Sequence, residues 1–480
     1  MIEHRPRAHL RPETGWTNDP IGPISWAGRT HLFHQVNPHG GFWDRPHWGH
    51  VVTDDLVRWE RRPLALSPDA GGADEDGCFS GCVVVVEGVP TMLYTGVRGP
   101  VGPSQQQATC LATSAHPDLD TWVKDPRNPV TTPPPGLDLI GFRDPFVWRE
   151  GGRWYQLVGS GLPGIGGAVL LFSAVDLGSW SYEGPLLTGA DLPELAWSGT
   201  MWECPAMLRT GQGDVLVISV LDGETTHHAV AITGHFDGHR FHADRVQRFD
   251  LGPDLYAPCV YVDPSGRAIA WGWSWEARST HRQREDGWAG VLSLPRQLTM
   301  RDGRLTIAAL PETAGLRTRR RRVTRIRTDD GWLAGGADGD AIDLVLRLAP
   351  PTRSVELRVR RAPDLAEVTV IGLDRDRGVV WLDRDHASLD PEADGGRFEG
   401  TVTGIDSGDA DLRVVIDRSI IEVFVGDEAT LTARVYPTRP DSTGVEVVGP
   451  SWDAGDLDLT VFDLGSVWAS PPPAAAGDAA

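Results

Sequence analysis

Four segments of this sequence, TDDLVRW, HPDLDTW, AVDLGSW and GHFDGHRF, align on their last aromatic residue, which places Trp59, Trp122, Trp180 and Phe241 at steps of 63, 58 and 61 residues. A period of this kind constrains the fold more than any other feature, because self-similarity at a fixed spacing means one structural unit built several times over. A second pattern runs in phase with it: an apolar run of strand length, a Gly-containing turn and another run. It is seen in GPISWAGRTHLFHQ, GCVVVVEGVPTMLYTG, DPFVWREGGRWYQLVGSG, PAMLRTGQGDVLVISV and APCVYVDPSGRAIAWGW. The runs are rich in β-branched and aromatic residues and lack a sustained 3.6-residue apolar period, so they read as strands rather than helices. Five such units predict an all-β chain that opens with a five-bladed β-propeller over residues 1–315. One large irregular sandwich would leave the common phase unexplained.

Beyond Pro311 the texture changes. The basic run RTRRRRVTRIR gives way to alternating strands such as SVELRVR, in which Val355, Leu357 and Val359 face one way and Glu356, Arg358 and Arg360 the other. AIDLVLRL, DLRVVID, IIEVFV, ATLTARVY and LDLTVFDL continue the theme, which predicts a C-terminal antiparallel β-sandwich over 326–466. Residues 316–325 are then a basic junction strand meeting acidic neighbours, and 467–480, ending in PPPAAAGDAA, a disordered tail.

With 45 basic and 66 acidic residues the formal charge is -21, which repels phosphodiesters and anionic lipid, so neither nucleic acid nor a membrane is an expected partner. Five cysteines without a CxxC pair argue against a disulfide framework or a zinc ribbon. The absence of a secretory-type apolar run near Met1 makes the expected location cytoplasmic. His31 and His34 fall on opposite faces of a strand, as do His227 and His228, so no metal site is expected from either pair.

The site emerges from the start of the first strand in each unit. Those positions hold Asp19, Ser80, Asp144, Glu203 and Tyr256, at steps of 61, 64, 59 and 53. In a propeller the innermost strands run side by side around the axis, so equivalent positions converge on one mouth and three carboxylates meet there. Mutual repulsion makes such a set costly as scaffolding. Grouped carboxylates in unequal environments are, however, what glycosidic bond cleavage requires: one ionised acid to attack the anomeric carbon and one protonated acid to help the leaving oxygen depart. From sequence order, Arg143 is expected to keep Asp144 ionised, and the neighbouring anions to raise the pKa of Glu203. Trp16, Trp43, Trp202, Trp271 and Trp273 offer aromatic faces, and Asn18, Gln35, Ser80 and Arg143 offer hydrogen bonds to hydroxyls. Cys204 reads as a buried neighbour of Glu203, since no histidine is placed to activate it.

These residues carry a resemblance to glycoside hydrolase family 32, the β-fructofuranosidases that include invertases, inulinases and levanases. WTNDPIG (residues 16–22) resembles that family's Trp-Met-Asn-Asp-Pro-Asn-Gly motif, FRDP (142–145) its Arg-Asp-Pro motif and WECP (202–205) its Glu-Cys motif. CFSGC, HLFHQVNP, WAGVLSLPRQL and DRSIIEVFV resemble further signatures, so the match spans nearly the whole chain. The resemblance implies a retaining hydrolase with Asp19 as nucleophile, Glu203 as general acid/base and Asp144 as a stabiliser of the fructosyl hydroxyls. It also implies a fructose subsite lined by Asn18, Gln35, Trp43, Phe79, Ser80, Arg143, Tyr256 and Trp273. No cofactor is implied. The sequence departs from the pattern at Thr17, Ile21, Cys82 and Ala206, and Ile21 and Ala206 are expected to affect what binds beyond the fructose unit.

The expected substrates are sucrose, fructo-oligosaccharides, inulin or levan. Fructosyl transfer on the same intermediate is an alternative, which product analysis at high sucrose decides. A phosphorylated sucrose is another, for which Arg278, His281, Arg282 and Arg284 in WEARSTHRQREDGW would supply cationic charge. The arabinanase-type five-bladed glycosidases also gather three carboxylates, but the Asn-Asp-Pro and Glu-Cys-Pro contexts and the sandwich count against that kinship. A non-catalytic sugar-binding protein has no need of all three acids.

Overall fold

The computed structural model describes residues 3–102, 104–193, 195, 197–328, 331–349, 352–405, 410–449 and 457–469. In the N-terminal part, consecutive strands fold back on one another to form five antiparallel sheets. Blade I comprises Gly15–Trp26, Arg29–Asn37, His47–Thr53 and Trp59–Leu66. Blade II runs from Gly77–Val86 to Val123–Lys124, and blade III from Phe142–Glu150 to Ser181–Thr188. Blade IV runs from Met201–Thr210 to Phe241–Arg248, and blade V from Tyr256–Val262 to Arg304–Ala309. The first strand of each blade packs against the first strand of the next, and that of blade V returns to that of blade I, so the five inner strands close a ring. Closure is reinforced by Trp288–Ala289, which pairs parallel with Gly15 and Trp16.

The inner strands share one backbone irregularity. Register breaks fall between Thr17 and Pro20, Phe79 and Gly81, Glu203 and Ala206, and Tyr256 and Cys259, while in blade III the break lies opposite Asp144 and Pro145. A bulge bends its strand and re-aims a side chain. Asp144, Cys204 and Ala257 adopt left-handed φ angles of 63°, 48° and 47° at these breaks, a conformation that costs a non-glycine residue about 1 kcal/mol or more.

The C-terminal part is a sandwich. Its six-stranded sheet is ordered Arg317–Arg320, Leu457–Leu464, Ala341–Leu348, Ala410–Asp417, Ile420–Val425 and Ala429–Arg434. The facing seven-stranded sheet runs from Thr324–Arg327 to Arg397–Thr401. Leu344, Leu346, Val414 and Val423 of the first sheet meet Val355, Leu357, Ile371 and Leu382 of the second. The first sheet is covered on its other side too, where Val415 and Phe424 join Leu32, Trp59, Trp271 and Leu294 of the propeller. That double burial explains why every residue of IIEVFV is buried and why its apolar residues do not alternate with polar ones, Glu422 excepted.

Three sequence expectations need correction here. The basic stretch is not a separate junction: Arg317–Arg320 is already a sandwich strand, with Arg317 on Asp343 and Arg319 and Arg321 on Asp463. Residues 467–469 are not part of a free tail, since Val467 and Ala469 hydrogen-bond the backbone of Trp59; residues 470–480 lie outside the described residues. Arg360 does not face solvent with Glu356 and Arg358 but is only 2% exposed, because a register break between Arg358 and Arg361 turns it inward at φ 48°.

Candidate active site

The bulges aim one side chain per blade at the axis, and the hydrogen bonds show that these side chains meet. Asp19 accepts from Ser80 Oγ at 2.5 Å and from Asn18 Nδ2 at 3.2 Å. Gln35 ties this corner together, donating to Ser80 Oγ at 2.5 Å and accepting from Asn18 Nδ2 at 3.0 Å. Trp16 Nε1 fixes the other end of the Asn18 amide at 3.1 Å. Glu203 stands across the mouth, its two oxygens taken by Arg143 Nε at 2.8 Å and the Tyr256 hydroxyl at 2.6 Å. Asp144 accepts from the Cys204 backbone N–H at 2.9 Å, and the Cys204 thiol lies 3.4 Å from Asp19 and 3.6 Å from Asp144. Cys204 is thus the link among the three acids. Its thiol is pushed well above the ordinary range, first by burial and then by those carboxylates, so it is a neutral donor and not a nucleophile.

The aromatic residues form two walls. Trp43, 40% exposed, stands edge-on to Phe79 at 5.8 Å between centroids. Trp273 packs edge-on to Trp16 at 5.7 Å and to Tyr256 at 6.4 Å. The three acids and the eight residues expected to line the fructose subsite therefore lie either in the hydrogen-bonded set or in these walls. Trp202 and Trp271, by contrast, are core residues.

The electrostatics differ from the expectation. Arg143 does not pair with Asp144. Neighbours on an extended strand point apart, and the guanidinium reaches Glu203 instead, with Gln107 Oε1 behind it at 3.3 Å. Asp144 is therefore pushed above the usual carboxylate range, chiefly by burial and then by Glu203, against a smaller opposing pull from Arg143. Asp19 is raised to about 6, again by burial first, with Glu203 adding to it and the Ser80 hydrogen bond opposing it. The half-buried Arg143 guanidinium pairs with Glu203 and acts on Asp144 only through space.

Several supporting residues left no sequence signal. Thr95 Oγ1 accepts from the Asp144 backbone N–H at 2.8 Å, and Gln107 accepts from the Phe142 N–H at 2.8 Å. Lys124, the chain's single lysine, binds Asp74 at 2.6 Å and Asp69 at 3.1 Å, pinning the loop that leads to Phe79 and Ser80. Behind the carboxylates a channel of about 160 Å³ follows the inner strands and is lined in part by Ile21, Cys82, Phe146, Ala206 and Cys259. Ile21, Cys82 and Ala206, three of the departures from the family pattern, face this axial channel.

Among the described residues, the donor group with metal-like spacing is His116, Asp118 and Asp120, and there Arg62 already holds Asp120 at 2.5 Å and Asp118 at 3.6 Å. His31 and His34 separate as their spacing implies, to His50 at 2.9 Å and Thr17 at 2.7 Å respectively. The loop arginines are largely committed to acids: Arg278 to Glu276 and Asp286, and Arg282 to Glu285, Asp390 and Glu392. Arg284 forms no ion pair among the described residues and lies 4.0 Å over the Phe42 ring.

Comparison with known proteins finds one family along nearly the whole chain. Residues 9–310 match the model for the N-terminal domain of glycosyl hydrolases family 32, and 312–463 the model for its C-terminal domain. A sucrose-6-phosphate hydrolase of Escherichia coli is 31% identical over 476 residues, 94% of this chain and 95% of the relative. A raffinose invertase of Escherichia coli is 32% identical over 486 residues, covering 96% and 95%. A Bombyx mori β-fructofuranosidase of family 32, solved as a mutant in complex with sucrose, superposes with a TM-score of 0.81 at 27% identity over 97% of this chain and 95% of that one.

Proposed function

The chain belongs to glycoside hydrolase family 32 and is accordingly a retaining glycosidase acting on fructosides; within that chemistry we propose the roles of its residues. Asp19 is the nucleophile, Glu203 the acid/base and Asp144 the group that holds the fructosyl hydroxyls. The observation that carries this assignment is the different company the acids keep. Asp19 is aligned by Ser80 and Asn18, which orient its oxygens without neutralising them, whereas Glu203 is shared between a guanidinium and a phenol that fix its position across the mouth.

In the first half-reaction an Asp19 oxygen forms a bond to the anomeric carbon of a terminal β-D-fructofuranosyl unit. The bond from that carbon to the leaving oxygen breaks, and the Glu203 proton goes to that oxygen. In the second, Glu203 takes a proton from water, the water oxygen bonds to the anomeric carbon and Asp19 departs. With Asp19 raised to about 6, the nucleophile is ionised only as pH rises through that value, so activity has an acidic limb there. Trp43 and Phe79 form one wall of the fructose subsite, Tyr256 and Trp273 the other, and Asn18, Gln35, Ser80 and Arg143 supply its polar contacts.

The test is fructose release from sucrose, inulin and levan by wild type and Glu203→Ala, with products resolved by chromatography. Release that falls by roughly 10²–10⁴-fold in the variant supports the assignment. Unchanged release removes Glu203 from its role. A second reading, hydrolysis of a phosphorylated sucrose, rests on the unpaired Arg284 beside the rim residues Phe42 and Trp43. It predicts that Arg284→Ala raises KM for the 6-phosphate and leaves sucrose unaffected; equal turnover of the two substrates by wild type rejects it.

A further inference from the structure

The sandwich meets the propeller where blade V closes onto blade I. At that seam Glu276 is 9% exposed, and both of its oxygens are fully engaged. Oε2 accepts from the Tyr436 hydroxyl at 2.5 Å and from Arg278 Nε at 2.8 Å. Oε1 accepts from the Gly290 N–H at 2.9 Å and faces Arg434 Nη1 at 3.0 Å. Tyr436 and Arg434 belong to the sandwich. Arg434 also reaches the carbonyls of Ser274 and Trp275 at 3.3 and 3.4 Å, and its own backbone N–H donates to Asp254 at 2.7 Å.

These contacts bracket the residue that holds Glu203. Tyr256 is two positions after Asp254, pairs in register with Trp273, and packs against the Trp275 ring at 5.7 Å. Trp275 directly precedes Glu276, and Trp273 stands two residues before Trp275. On the other side, Gly290 lies so close to Thr17 that a Cβ there would stand 1.8 Å from the Thr17 carbonyl oxygen, so the Glu276–Gly290 bond presses blade V against the strand carrying Asn18 and Asp19. The carboxylate is held near a pKa of about 2 against strong burial, chiefly by Arg434 and Arg278, so it stays charged throughout the working range.

We propose that Glu276, clamped by Arg434 and Tyr436 of the sandwich, is a positioning residue that keeps Tyr256 hydrogen-bonded to Glu203, which makes the sandwich a working part of the active site. The inference rests on the reading of Glu203 as acid/base. Loosening the clamp lets the Tyr256 ring retreat with Trp273 and Trp275, and Glu203 then delivers its proton from a less defined position. The loss therefore depends on how much protonation the leaving group needs.

The experiment compares sucrose with p-nitrophenyl β-D-fructofuranoside, whose leaving group departs with little protonation, in Tyr436→Phe, Glu276→Gln, Tyr256→Phe and Glu203→Gln. Thermal unfolding of each variant is measured alongside, and assays are run well below its Tm. Expected is a roughly tenfold fall in kcat/KM on sucrose for Tyr436→Phe, with less than about a twofold fall on the activated substrate. Tyr256→Phe should show the same pattern, and combining it with Tyr436→Phe should add nothing further. Equal losses on both substrates, or additive losses in the double variant, overturn the proposal. If Glu203→Gln itself shows no dependence on the leaving group, the acid/base reading fails instead. If Glu276→Gln does not fold, Tyr436→Phe, which removes one hydroxyl, decides the matter.

Discussion

At the mouth of the propeller three carboxylates, Asp19, Asp144 and Glu203, lie together, and the one guanidinium among them, that of Arg143, pairs with Glu203. At the seam with the sandwich the arithmetic is reversed. Glu276 is met by Arg278 and Arg434, Asp250 by Arg296, and Asp254 by Arg384. Both places are buried and rich in hydrogen bonds, so desolvation acts on both. What differs is the balance of charge: Asp19 and Asp144 are raised, Glu276, met by two guanidiniums, is lowered to about 2, and Asp254, bonded to the single guanidinium of Arg384, is still raised by burial. An acid kept near neutrality by its surroundings can exchange charge with a substrate; an acid fully matched by cations can only hold things in place. The contrast between Asp19 and Glu276 separates a reacting acid from a fastening one without reference to any relative.

The comparison can be broken at either end, and the largest effect belongs to the mouth. Asp19→Asn should lower kcat by about 10⁴-fold or more. It should do so without destabilising the fold, because it removes one of several repelling carboxylates; a loss of stability measured by denaturant unfolding would contradict the imbalance. At the seam the outcome inverts. Arg434→Met leaves Glu276 short of a cation in a buried site and should cost about 3–5 kcal/mol, read from the same unfolding curves.

A smaller effect sharpens the contrast through pH. Asp19 binds its proton more tightly folded than unfolded, so folding loses stability as pH rises from about 4 through about 6. Glu276 is the opposite case, contributing stability above its unfolded value of 4.5 that is lost as pH falls toward 2. Asp19→Asn should therefore raise Tm relative to wild type at pH 7 and match it near pH 4. Glu276→Gln should lower Tm at pH 7, with the gap closing at acid pH. The smallest effect expected is at the rim, where Trp43→Ala should raise KM about fivefold with little change in kcat, as for loss of a half-exposed aromatic contact worth about 1 kcal/mol.

The positions of the three acids were legible because the repeat has a phase, and phase alone carries Asp19 to Asp144 to Glu203. The residues that tune them were less so. Arg143 stands beside Asp144 in the sequence, yet adjacent strand residues diverge, and its true partner is 60 positions away. Lys124, Thr95 and Gln107 act from outer strands or their ends, where the repeat leaves no mark. The Arg434–Glu276 pair spans 158 residues and two different folds, so no local pattern announces it. In the sandwich, the alternation in SVELRVR was readable up to Arg358 and failed at Arg360, because a bulge adds a residue that a period of two does not count.

The bulge at the head of every inner strand has a consequence for how such a site can change. The ring offers a seat on each blade, each with the same backbone kink and each aimed at the axis, and three of the five are taken by acids while Ser80 and Tyr256 occupy the others. New chemistry in this scaffold thus needs no new loop and no rebuilt strand. It needs a different side chain in a seat that already exists, and at residues 80 and 256 the exchange would trade away the hydrogen bonds that now align Asp19 and Glu203.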